Sequence, residues 1–386
     1  MRIARCLTLL NKQSIRFVSS SATIAANSDD KHCLQVFSGI QPTGLPHLGN
    51  YFGALEQWIK LANERETVIH SSNNNKSVRL NKPVYGVVDV HSYSSQSTTF
   101  GQTLYDRILD TVASLLALGL NENNCILVRQ SDVLEHFYLD NVLDNFVSPN
   151  RLTRMTQFKE KTKDESSRLW TNLTNNGLLT YPVLQAADIL VYRAQLVPVG
   201  EDQVQHLELA RDVAQKFNSK TGSQYFPEPE PLFNPSKHAR RVRSLRDPTK
   251  KMSKSDANQR SHVSPLESAD TIRDKFKKAL TDDISAVYYD AEKRPAVSNL
   301  MLIHHLATGM DFDQIRDQYE SVETGRYKLS LADTIIEKFA AARKLYGELR
   351  ADNYHLEKTL QDGYRRAKPI VGETIGQVKY LLGSLR

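Results

Sequence analysis

Lys251-Met252-Ser253-Lys254-Ser255, reached through Asp247-Pro248-Thr249-Lys250, places two ammonium groups and two hydroxyls on one short stretch. No acid stands between Asp247 and Asp256 to neutralise them. Such a stretch suits a polyanion, and a triphosphate is the obvious one. A second element lies far upstream, Gly39-Ile40-Gln41-Pro42-Thr43-Gly44-Leu45-Pro46-His47-Leu48-Gly49-Asn50. Gly44 and Gly49 let backbone approach a ligand closely, and a helix opening at Asn50 aims its N-terminal amides at phosphate. His47 and Asn50 add donors that bring no negative charge. Neither GxGxxG nor GxxxxGK(S/T) occurs, which sets aside the dinucleotide and P-loop fingerprints.

A third group sits on the stretch Gly177–Leu190. Tyr181, Gln185 and Asp188 fall on one helical face, and Ala186 and Ala187 leave room beside them. Asp188 lies between Ala187 and Ile189 and reads as buried, so it must find a donor. Gly200-Glu201-Asp202-Gln203 follows a strand at Leu196–Val199. Carboxylates there are placed to accept from ribose hydroxyls, or to cap the next helix. Asp89-Val90-His91 closes another strand, where His91 serves either a substrate or a structural hydrogen bond.

The elements that must position these groups alternate. Short apolar runs at Leu34–Ser38, Val84–Val88, Cys125–Val128 and Leu196–Val199 read as buried strands. Amphipathic stretches at Asn50–Ala62, Leu104–Leu118, Val133–Asn145, Leu178–Tyr192 and Gln203–Phe217 read as helices. The alternation predicts an α/β fold, a doubly wound, Rossmann-like parallel sheet with helices on both faces. Beyond Thr271 only helical periodicity remains, over Ile272–Leu280, Ser298–Thr308, Phe312–Tyr319, Leu331–Leu349, Tyr354–Arg366 and Val371–Leu382. A smaller all-helical C-terminal domain follows. The Asn-rich stretch 71–82 reads as a flexible surface insertion, and the proline-rich stretch Gly222–Ser236 as a rigid loop. The division is thus a leader (1–30), a catalytic domain (31–270) and a helical region (271–386).

With 386 residues, the chain has room for a catalytic domain and a smaller partner. No stretch approaches the ~20 apolar residues of a membrane-spanning helix, so no membrane insertion is expected. The net charge of +6 favours an anionic partner only weakly. Cys6, Cys33 and Cys125 lie far apart and make no disulfide framework or metal site, so no metal bound by protein ligands is expected. The first segment carries Arg2, Arg5, Lys12 and Arg16, many serines and no acid before Asp29. That composition belongs to a mitochondrial targeting segment and predicts the matrix as destination.

The His47-Leu48-Gly49-Asn50 and Lys251–Ser255 stretches resemble the HIGH and KMSKS signatures of class I aminoacyl-tRNA synthetases. Their spelling, with Val197-Pro198-Val199-Gly200-Glu201-Asp202-Gln203, resembles the tryptophanyl-tRNA synthetases, and the similarity covers Leu34–Arg386. The resemblance implies two-step chemistry. The tryptophan carboxylate attacks the α-phosphate of ATP, releasing pyrophosphate, and the terminal hydroxyl of tRNA(Trp) then takes the acyl group. It implies His47, Asn50, Lys251 and Lys254 as catalytic groups, with Lys161 as a further phosphate contact. ATP would lie against Gln41, Pro42, Thr43, Gly49, Asn50, Gly200, Glu201, Asp202, Val242 and Lys251-Met252-Ser253-Lys254-Ser255, with Mg2+ alongside. Asp188 would accept the indole N–H, Tyr181 and Gln203 would hold the ammonium, and Phe37, Gly39, Val197, Val199 and His91 would line the pocket. The resemblance also implies a homodimer, and a helical part that reads the anticodon, where Arg365, Arg366 and Lys368 are candidate phosphate contacts, though each by itself reads first as part of a solvated helix face. One departure stands out: Gln185 replaces a Met common in bacterial members, so Tyr181, Gln185 and Asp188 also resemble the tyrosine-binding motif of tyrosyl-tRNA synthetases. Two further alternatives are a small-molecule nucleotidyltransferase and a catalytically silent RNA-binding module.

Overall fold

The computed structural model describes residues 33–70, 75–94, 102–162, 176–234, 236, 242–254, 256 and 258–385. The leader and Ser255 lie outside the described residues. In chain order the strands are β1 (Phe37–Ile40), β2 (Glu66–His70), β3 (Asn75–Arg79), β4 (Val84–Val87), β5 (Ile126–Arg129), β6 (Leu196–Pro198) and β7 (Glu230–Leu232).

Parallel pairing gives the order β1-β4-β5, and β6 pairs in parallel with β7. A parallel bridge between Val36 and Leu196 joins the two parts. Across the layer the order is therefore β5-β4-β1-β6-β7. The chain grows outward one way from β1, then returns to grow the other way, so the switch point falls between β1 and β6. Ligands of such sheets bind in the crevice at the carboxyl ends of the strands there.

Both faces of the sheet are covered, which is why its strands read as unbroken apolar runs. The pleat sends alternate side chains to opposite cores. Tyr85, Val87 and Leu127 join Phe52, Trp58 and Val112 on one face. Val84, Ile126 and Val128 join Leu139, Val183 and Val213 on the other. Trp58 stacks on Tyr85 at 4.5 Å between ring centroids, and the Tyr85 hydroxyl donates to the Trp58 carbonyl at 2.9 Å.

The structure corrects four expectations. Within the stretch 71–82, residues Asn75–Arg79 form β3, antiparallel to β2, and Val78 and Leu80 are buried. The Asn-rich composition masked this alternation of apolar and polar side chains. The expected rigid loop contains β7, where Pro231 is tolerated because the strand lies at the sheet edge. The expected helix Leu331–Leu349 is two, Thr324–Lys338 and Ala340–Arg350, broken at buried Phe339, whose φ of −104° and ψ of 15° leave the helical well. The Arg343 guanidinium donates to the Ile336 carbonyl at that break. Finally, Asn353–Leu381 is one helix that runs through Pro369. An interior proline costs about 3 kcal/mol, but Ala367, Val371, Ile375 and Val378 bury one continuous face on both sides of it.

That last helix packs on the parallel sheet. Gly363 faces β5 so closely that a methyl group in place of its hydrogen would collide with the Leu127 carbonyl. Because backbone cannot rotate away as a side chain can, Gly363→Ala should destabilise the protein by about 3 kcal/mol, the upper end for overpacking. Equilibrium denaturation would show this as a lower midpoint, and an unchanged midpoint would contradict the close approach.

Candidate active site

β1 ends at Ile40, and the chain turns through Gly44, whose φ of +98° suits glycine alone. The next helical turns begin at Leu48 with His47 as N-cap. The Asn50 amide donates to His47 Nδ1 at 3.1 Å, and the His47 amide donates to Asn50 Oδ1 at 3.2 Å. The bond at Nδ1 leaves the ring proton on Nε2, so His47 is a neutral donor. Burial, then the positive charges of Lys254 and Lys251 and the His262 ring, pull its pKa down to about 3. Gly49 packs tightly: a Cβ there would lie 3.1 Å from the His47 ring, which would have to give by a few tenths of an ångström.

The lysine-bearing stretch bridges the switch point. Arg243 and Lys251 form an antiparallel bridge, and the Met252 amide donates to the Val242 carbonyl at 3.2 Å. Asn299 clamps the base, accepting from the Arg243 amide and donating to its carbonyl. Met252 is buried in the core. Its flanking lysines part. Lys254 Nζ donates to the Gly44 carbonyl at 2.7 Å and to Thr43 Oγ1 at 3.3 Å, at the end of β1. Lys251 Nζ lies 3.4 Å from Asp202 Oδ1, at the end of β6, with both side chains largely exposed. Burial lowers the Lys254 pKa to about 8. An ammonium partly stripped of water and held by neutral acceptors is poised for an anion.

Beyond β6, Asp202 Oδ1 folds back over Gly200, where a Cβ would sit 2.6 Å from it and push the carboxylate aside. Gln203 Nε2 donates to Asp202 Oδ2 at 2.8 Å. Burial raises the Asp202 pKa, but bonds from Gln203 and the charge of Lys251 outweigh it, so the carboxyl sits below its ordinary range. Glu201, Asp202 and Gly200 are exposed at the mouth of the crevice, as are Gln41 and Thr43, while Pro42 and Val242 are buried.

The helix Asn176–Leu190 carries the expected trio. Tyr181 and Gln185 are half-buried, and Asp188 is buried at the deep end. Asp188 is not waiting for a donor. His91 Nε2 meets Oδ2 at 2.9 Å, His136 Nδ1 meets Oδ1 at 2.6 Å, and Gln130 Nε2 reaches both oxygens at 2.9 Å. Burial alone would raise the Asp188 pKa, but the bonds from His136 and His91 bring it down to about 2. Rejection of analogues lacking an N–H therefore cannot rest on an orphaned carboxylate, since the protein supplies donors of its own. The Tyr181 hydroxyl donates to Gln157 Oε1 and meets His206 Nε2, each at 2.9 Å. Gln185 Nε2 reaches Gln203 Oε1 at 3.5 Å. Phe37 and Val197 are buried, Val199 is half-buried, and Gly39 is exposed with Val88 against it.

The expected residues thus converge from the ends of β1, β4 and β6 and from two helices. Lys161 belongs to the helix Thr156–Thr162, but its side chain lies outside the described set. Gln130, His136, Gln157 and His206 were not assigned from the sequence, because nothing in their own neighbourhoods marks them. Arg366, a candidate phosphate contact on a face read as solvated, donates to the Cys125 carbonyl at 2.8 Å and pins the last helix to the sheet. Arg365 pairs with Asp362, and Lys368 lies over the Tyr364 ring.

Asp140, one turn beyond His136, has a buried oxygen, Oδ1, with no hydrogen-bond partner among the described residues. Burial, then the charges of Asp144 and Asp188, raise its pKa to about 7, against the opposing influence of His91. A carboxyl raised in the folded state weakens that state as pH climbs from about 4 to 7. Asp140→Asn should therefore stabilise the protein by about 1–2 kcal/mol at pH 8, allowing for solvent screening. The gain should shrink toward pH 4. Melting temperatures across that range test the sign, and a gain that grows on acidification would contradict it.

A family model described as class I tRNA synthetases (W and Y) matches residues 29–340. A tryptophan–tRNA ligase of Caldanaerobacter subterraneus is 38% identical over 349 residues, which cover 90% of this chain and 98% of that protein. One from Rickettsia conorii is 37% identical over 348 residues, covering 90% and 98%. The crystal structure of a tryptophanyl-tRNA synthetase from Campylobacter jejuni, solved with ADP and tryptophan, superposes with a TM-score of 0.73 at 29% identity, covering 91% of this chain and 100% of that one.

Proposed function

We infer, from the premise that this chain belongs to the class I tRNA synthetases for tryptophan and tyrosine, that it is a tryptophan–tRNA ligase. It joins L-tryptophan to tRNA(Trp) through an adenylate made from ATP. The observation that carries the reading is the juxtaposition at the switch point: Lys254 on the Gly44 turn, neutral His47 beside it, and the Asp188 helix facing the same crevice.

The substrate carboxylate brings its own nucleophile, so the protein's work is positioning and charge stabilisation. His47 Nε2–H would meet phosphate oxygens without adding charge, whereas the Leu48 and Asn50 amides are already bonded, to the Val263 carbonyl and to His47. Lys254 would trade the Gly44 carbonyl for phosphate as negative charge grows on the departing pyrophosphate. Lys251, now on Asp202, would approach from the β6 side. Mg2+ would accompany the triphosphate as its counter-ion, and no side chain is assigned to it. Tyr181 and Gln203, both at the pocket's open end, would hold the substrate ammonium. Charging of a tRNA(Trp) transcript by the full chain tests the reading; failure to esterify tryptophan to it would overturn it.

Two finer readings go with this one. Residues 1–30 would direct the chain to the mitochondrial matrix, on the strength of four basic and no acidic side chains before Asp29. A reporter carrying that segment should be imported, and a cytosolic reporter would exclude it. Leu134 and Tyr138, exposed one helical turn apart, support a homodimer.

A further inference from the structure

Three donors hold Asp188, and they differ in what stands behind them. Gln130 Oε1 accepts the Val90 amide at 3.1 Å, so its amide group cannot flip. His91 stands edge-on to Tyr181, with ring centroids 6.4 Å apart, on the side where the substrate would lie. His136 is 1% exposed, and its other nitrogen, Nε2, meets the Tyr192 hydroxyl at 2.9 Å. Tyr192 is itself 2% exposed and stacks on Phe37 at 5.3 Å between centroids and 14° between planes. Burial and the Asp188 charge keep the phenol protonated, pushing its pKa well above the ordinary value. Among the described residues the only hydrogen-bond partner of that phenol is His136 Nε2, so the phenol donates and Nε2 accepts. The ring's N–H must then lie on Nδ1, aimed at Asp188 Oδ1 over 2.6 Å.

We propose that Tyr192 and His136 are positioning residues for tryptophan selection: Tyr192 fixes the tautomer of His136, and His136 holds Asp188 as an oriented acceptor while His91 yields to the indole N–H. Neither residue touches substrate in this scheme. The Tyr192 ring also backs Phe37, so one side chain sets both the acceptor and a wall of the pocket. An imidazole bonded at both nitrogens cannot turn, whereas one that had lost the phenol could present a lone pair to the carboxylate and push it away.

This inference rests on the tryptophan reading, and one assay separates the two. ATP–pyrophosphate exchange is measured on the full chain against tryptophan and ATP concentration. Tyr192→Phe keeps the ring stack and removes only the hydroxyl. It should raise the KM for tryptophan about tenfold, the effect of one buried hydrogen bond, with kcat and the KM for ATP within about twofold of wild type. His136→Leu should raise the KM for tryptophan further, and His136→Asn, whose amide can replace the Nδ1–H donor, should recover most of the loss. A tryptophan KM unmoved in Tyr192→Phe overturns the proposal, as does a loss shared equally by ATP, which would mark a merely structural role. Should His136→Leu fail to fold, Tyr192→Phe still decides. A wild-type chain without tryptophan-dependent exchange would instead overturn the functional reading.

Discussion

Lys254→Ala should lower the rate of tryptophan adenylation at least a hundredfold while leaving tryptophan affinity nearly unchanged. The ammonium is half-buried, burial has already pulled its pKa to about 8, and its acceptors are the neutral Gly44 carbonyl and Thr43 hydroxyl. A group prepared in this way loses little when phosphate replaces those acceptors, and gains most where charge develops. Removing one preorganised donor of this kind typically costs about 3–4 kcal/mol of transition-state stabilisation. Lys251 offers a built-in comparison. It is largely exposed and screened, with Asp202 beside it, so its removal should cost less. Single-turnover adenylation with tryptophan titrated separately gives both quantities. A near-normal rate for Lys254→Ala would remove it from the mechanism.

Asp188→Ala should be the other severe change, and it should act on specificity and on stability together. The substitution deletes the acceptor for His91, His136 and Gln130 and strands three buried donors. Breaking such a buried charged cluster from one side costs about 3 kcal/mol or more of folding stability. The indole N–H would also lose its acceptor, so preference for tryptophan over phenylalanine should collapse. Because the carboxylate is partnered even without substrate, the wild-type preference should fall short of the ~10⁴–10⁵ seen where an analogue leaves a polar group wholly unpaired. Exchange kinetics with both amino acids, alongside urea denaturation, separate the two effects. An unchanged preference would refute the role of Asp188.

What was legible in the sequence was what is local. The lysine pair, the His47–Asn50 turn and the Tyr181/Gln185/Asp188 spacing each lie within one loop or one helix, where spacing alone fixes proximity. The alternation of strands and helices foretold the parallel sheet for the same reason. What surrounds Asp188 was not legible, since Gln130 follows β5, His136 opens another helix and Tyr192 lies past the end of a third. Only the closed fold brings them within hydrogen-bond reach. β3 and β7 were hidden by Asn-rich and Pro-rich composition, which describes the turns beside them. Pro369 falls in the gap between the expected helices Tyr354–Arg366 and Val371–Leu382, but a helix face buried on both sides of it makes them one.

The central claim is that the crevice at the β1–β6 switch point couples ATP to tryptophan. Gln185 gives tyrosine its one foothold as the competing substrate. The most direct test is ATP–pyrophosphate exchange by the full chain with tryptophan or tyrosine as the sole amino acid. Exchange driven by tryptophan, with tyrosine at background, is the predicted result. Exchange driven by tyrosine, or by neither, would contradict it.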